Sequence, residues 1–176
     1  MRSVTSLRYI PVELLALTVL LAIIAAVAAA VPALLRRDVY GAAVTAARVL
    51  LGGAVLAVLA VTLVGGAGGT GVNLAPGAGI RAGFDNVNGE LGLVNVLGNV
   101  AMFVPVGFLV PLATSLRFLG SVAACGILSV AVEVLQLAAG RSLDIDDVLL
   151  NTSGGAVGAA VGITLEVLLQ RRRSSG

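Results

Sequence analysis

Five apolar runs, each long enough to cross a bilayer, leave this chain few ways to fold. They extend from about Ile10 to Leu35, Ala43 to Val64, Leu93 to Ala113, Phe118 to Ala139, and from near Asp147 to just before Arg171. A helix needs roughly 20 apolar residues to span the hydrocarbon, and backbone polar groups there must be satisfied within the chain, which helices do and open sheets do not. The sequence therefore predicts an all-α, polytopic transmembrane helical bundle of about five spans. Composition agrees, because 59% of the 176 residues are hydrophobic and 11% charged, with a mean hydropathy of +1.09. No soluble stretch is long enough for a core of its own, so residues 1–176 read as a single integral membrane domain.

The first run competes with a cleaved signal peptide, since Arg2 and Arg8 precede it and small residues close it, but it is too long for a typical signal core. The third contains Pro105 and Pro111, each lacking a backbone donor, and is expected to be kinked. In the fifth, Gly154, Gly158 and Gly162 recur at spacing four, the pattern that lets helix backbones approach closely. From Gly65 to Gly92 the chain is Gly-rich and irregular, with Asn73, Asn86, Asn88 and Glu90, and reads as a long loop: a lid, a binding loop, a disordered segment, or a stretch on an interfacial or re-entrant path. Cys125, alone of its type, sits among apolar neighbours and reads as a packing residue, so no disulfide framework or cysteine metal site is available.

The basic residues are all arginine and fall at segment ends, a pattern of membrane orientation rather than of nucleic-acid binding. With the N-terminus outside, the cytoplasmic ends carry Arg36, Arg37, Arg48, Arg117 and Arg171 to Arg173, against Arg2, Arg8, Arg81 and Arg141 outside. The count favours a multi-pass cell-membrane protein with its N-terminus out and C-terminus in the cytoplasm.

Polar groups lie where polarity is expensive. At 1.5 Å per residue, Asn99 is about 9 Å inside the start of its span, Glu133 about 10 Å from the end of its own, and Asn151 about 6 Å below Asp147. The three are expected to meet in one layer. Helical spacing also puts Asn95 with Asn99, Ser129 with Glu133 and Gln136, and Asp147 with Asn151 on single faces. In one reading this is scaffold: Asp144 or Asp146 caps the last helix, Arg141 pairs with a nearby Asp, and Glu133 fixes helix register. In the other, Asn95, Asn99, Glu133, Gln136, Arg141, Asp144, Asp146, Asp147 and Asn151 line an outward-facing polar pocket for a ligand headgroup. Its oxygen-only donors also suit Mg²⁺ or Ca²⁺. With no His and no thiolate, acid/base catalysis would fall to Glu133.

Around these residues the sequence resembles the VanZ-like family of small bacterial membrane proteins. A run of Asn, Gly-Asn and Phe-x-Pro-x-Gly-Phe is present as Asn95, Gly98, Asn99, Phe103, Pro105, Gly107 and Phe108. Ser129, Glu133 and Gln136 form Ser-x-x-x-Glu-x-x-Gln. Arg141, Asp144, Asp146, Asp147, Asn151 and Gly154 form the charged element, and Asn73, Leu74 and Pro76 precede them all. The resemblance covers about Asn73 to Leu165, departs at Gly77 where the family usually has an aromatic residue, and leaves the 10–35 span as an addition. It implies an envelope protein linked to glycopeptide (teicoplanin) resistance, and no particular reaction or cofactor. A non-enzymatic binding or modulating protein leads. An integral-membrane enzyme acting on a lipid-linked cell-wall precursor is second, and a small transporter third, because the polar residues cluster toward one side.

Overall fold

The computed structural model describes residues 12–64, 71–85 and 89–174. Arg2, Arg8, Asn86 and Asn88 lie outside the described residues. Among the described residues six helices run in the order α1 (Val12–Leu35), α2 (Val39–Val64), α3 (Ala78–Asp85), α4 (Gly89–Ala113), α5 (Phe118–Ala138) and α6 (Ile145–Ser174). Two short strands, β1 (Val72–Asn73) and β2 (Leu143–Asp144), pair in parallel. α2, α4, α5 and α6 are long and apolar enough to cross a membrane, and α1 adds a shorter apolar stretch, Val19–Leu35. The chain is an all-α bundle with the composition and helix lengths of a multi-pass membrane protein.

The helices carry apolar side chains both inward and outward. Val58, Phe103, Val106, Val110, Cys125 and Val132 form one buried cluster, while Leu119, Ile127, Val130 and Val134 of α5 are exposed. In a soluble protein that outer face would be a liability, but in a bilayer it is the lipid-facing surface. Cys125 is fully buried, in keeping with a packing role.

Among the described helices α4 and α6 pack together most extensively, and glycine spacing is the reason. Gly154, Gly158 and Gly162 lie against the backbone of Val100, Val104 and Phe108, and a Cβ at Gly158 would stand 2.6 Å from the Phe108 nitrogen. Side chains larger than hydrogen would force the backbones apart. Both prolines of the third span lie inside α4, which is helical on both sides of each; Pro111 is buried and Pro105 exposed. α6 continues past the expected end, through the three arginines to Ser174.

The stretch read as an irregular loop contains local structure. Asn73 closes a turn by accepting the Ala75 N–H at 3.1 Å, β1 pairs with β2, and α3 follows from Gly77, whose φ of +82° suits a residue without Cβ. Composition hid β1 and the start of α3, because both depend on partners distant in sequence.

Candidate functional site

The site assembles at one end of the bundle. At the opposite end Arg48 donates from Nε to the carbonyl of Ala113 at 3.0 Å, satisfying a last-turn acceptor of α4. At the polar end the C-termini of α2 and α5 meet the N-termini of α4 and α6, and all nine candidate side chains except Asn151 lie in this network.

The end of α5 sets the geometry. Arg141 N–H bonds the Gln136 carbonyl and Gly140 N–H the Leu137 carbonyl, both at 3.0 Å, with Gly140 at φ +78°. This paired closure needs a left-handed residue just beyond the helix, and glycine supplies it without steric cost. The chain reverses, so the Arg141 guanidinium returns to the Thr62 carbonyl near the C-terminus of α2. Gln136 donates to that same oxygen at 3.1 Å. A cation and an amide thus satisfy a carbonyl that α2 leaves without a helical partner. The partner expected for Arg141 was an Asp; the one it takes is this backbone oxygen.

Next along the chain, β2 passes Glu133. The Glu133 carboxylate, 2% exposed, accepts the Asp144 N–H at 2.9 Å. Asp144 caps α6, accepting the Asp146 N–H at 2.9 Å, and its same oxygen accepts from the Asn73 amide at 3.1 Å. Asp146, also 2% exposed, turns the other way: its two oxygens accept the N–H groups of Gly77 at 2.6 Å and Ile80 at 3.1 Å. It therefore caps α3, a helix far from it in sequence. Three carboxylates are committed to backbone donors.

Asp147 differs. Its carboxylate accepts from the side-chain amides of Asn99 and, at 3.4 Å, Asn95, both on α4. Asn95 is exposed, and Asn99 and Asp147 are half-buried. Deeper in the bundle, Asn151 donates to the Ser129 hydroxyl at 2.9 Å, while its Oδ1 is buried without a partner. The expected layer of Asn99, Glu133 and Asn151 thus separates into three contacts on neighbouring faces: Asn99 with Asp147, Glu133 with Asp144, and Asn151 with Ser129.

Among the described residues no group of three or more His, Cys, Asp or Glu side chains is placed to hold a metal ion. The acids point to different donors rather than converging on one point. What the arrangement offers chemically is an accessible carboxylate held between two amides, suited to a hydroxyl, ammonium or amide donor. Sequence reasoning did not place Thr62 or Asn73 in the network. Thr62 contributes only a backbone oxygen and gives no sequence signal, whereas Asn73 stands in a quoted motif whose place beside Asp144 appears only on folding.

The family model for VanZ/LLP1 matches residues 14–166. This chain belongs to the VanZ/LLP1 family. The match covers most of the chain and begins inside α1, so the region shared with VanZ/LLP1 proteins includes the first two helices as well as the polar end. No curated protein and no solved structure matches the chain.

Proposed function

We propose that this VanZ/LLP1 protein acts at the bacterial cell envelope as a ligand-binding membrane protein and contributes to glycopeptide (teicoplanin) resistance. The polar end faces outward, with the C-terminus in the cytoplasm. There it receives the polar headgroup of an envelope ligand such as a lipid-linked cell-wall precursor. One observation carries this reading: Asp147 is the carboxylate of the cluster whose hydrogen bonds come from side-chain amides at an accessible face, beside exposed Asn95. Glu133, Asp144 and Asp146 each hold a backbone N–H, so the scaffold and binding roles fall on different acids.

Mass spectrometry of lipids and precursors copurifying with the protein tests the proposal. Asp147→Asn keeps size and one acceptor but removes the charge, and should weaken ligand retention about ten-fold or more, the worth of a hydrogen bond to a charged group. Cells expressing it should become more susceptible to teicoplanin, while the extracted protein elutes and melts as wild type. Retention and susceptibility equal to wild type would remove Asp147 from the binding role.

A further inference from the structure

A second feature lies within the apolar layer. Between α1, α2 and α4 is a cavity of about 440 Å³, within the range of small-molecule sites. α2 forms its floor, since α1 packs on α2 and α2 on α4. Its lining is wholly apolar, including Val19 and Ile23 from α1, Ala57 and Val61 from α2, and Met102 and Leu109 from α4. The lining of α2 runs from Leu50 to Val61, a slot about 16 Å long at 1.5 Å per residue.

We infer that this cleft holds one hydrocarbon chain of a bilayer lipid. Water is a poor occupant, because a buried water needs two to four polar partners and the lining provides only apolar side chains. Leaving the space empty forfeits packing in proportion to its volume. A second helix laid across the mouth would send only separate side chains into the slot, whereas a flexible chain lies along its whole length. The slot opens where hydrocarbon is the surrounding solvent: Val19 and Ile23 are each 47% exposed and Val61 38%. A single flexible chain fits the length, width and chemistry together.

The cleft also points toward the polar end. Along α4 the residues Asn95, Asn99, Met102, Pro105 and Leu109 follow one helical stripe, passing from the amides that hold Asp147 into the cavity lining. Val61 of the lining adjoins Thr62, whose carbonyl takes Gln136 and Arg141. If the headgroup reading above holds, chain and headgroup belong to one amphipathic lipid; the chain site itself does not depend on it.

The test uses the full chain in vesicles of phosphatidylethanolamine and phosphatidylglycerol, with a fraction of the phosphatidylglycerol carrying a diazirine midway along one acyl chain. After irradiation, label should concentrate on α2 and α4 residues between Leu50 and Val61 and between Met102 and Leu109, above the level on the outer face of α5 at Ile127 and Val130. Ala57→Phe, which sets a ring across the middle of the slot, should lower the α2 and α4 label about ten-fold, because a single chain can no longer lie along its length. Val61→Trp at the rim gives a second variant should the first fail to fold. The probe is phosphatidylglycerol and not an envelope precursor, so the label reports the chain site whatever the retention assay shows for Asp147. Equal labelling of the cleft and the α5 face, or label insensitive to both variants, would each overturn the inference.

Discussion

Glu133 on α5 holds the backbone N–H of Asp144 at 2.9 Å and so fastens the start of α6 to the end of the preceding span. A buried carboxylate in a membrane helix invites a functional reading. Its observed partner instead gives it a structural task. The proposed ligand contact lies at a different acid, Asp147.

Glu133 variants should separate acceptor from charge. Glu133→Gln retains an oxygen able to accept the Asp144 N–H and should melt close to wild type. Glu133→Leu leaves that N–H unpaired and should lose about 1–3 kcal/mol. Thermal unfolding in one detergent ranks them, and equal melting of the two variants would contradict the assignment.

Asp146 should control the order of α3. Asp146→Ala removes both side-chain bonds to the Gly77 and Ile80 amides, and a lost cap costs about 0.5–2 kcal/mol. Hydrogen exchange in lipid nanodiscs should speed up across 78–85 while the centre of α5 stays protected. Unchanged exchange in α3 would show that its packing on α4 alone holds it.

Added volume should be rejected at a glycine inside the α4–α6 contact and accepted at one outside it. Gly158→Ala places a methyl against the Phe108 backbone and should destabilise by about 1–3 kcal/mol. Gly98→Ala meets nothing within 4 Å and should be neutral or slightly stabilising, as alanine favours helix. Melting temperatures of the pair decide it, and equal values would mean that the interface relaxes freely.

Orientation can be read from single cysteines on a Cys125→Ala background. Ser142 and Ser115 are both exposed and lie at opposite ends of α5. A membrane-impermeant maleimide should label Ser142→Cys in intact cells and reach Ser115→Cys only after permeabilisation. The reverse pattern would place the polar end in the cytoplasm.

The apolar runs by themselves determined the class of fold, because no other architecture satisfies so many backbone groups in hydrocarbon. Helix limits were legible to within a few residues for the same reason, and the glycine spacing in α6 announced a close helix contact. The family motifs marked the polar residues without showing what each one does. That was decided by tertiary structure. Asp144, Asp146 and Asp147 are near neighbours in sequence, yet they serve the α6 cap with Asn73, the start of α3, and the amides of α4. Helical geometry turns each successive side chain by about 100°, so adjacent acids face different elements. Which element stands there depends on how the helices pack. The Thr62 carbonyl and the α1–α4 cleft were likewise invisible in the sequence, since a backbone oxygen has no residue-type signature and a cavity is a property of the space between helices.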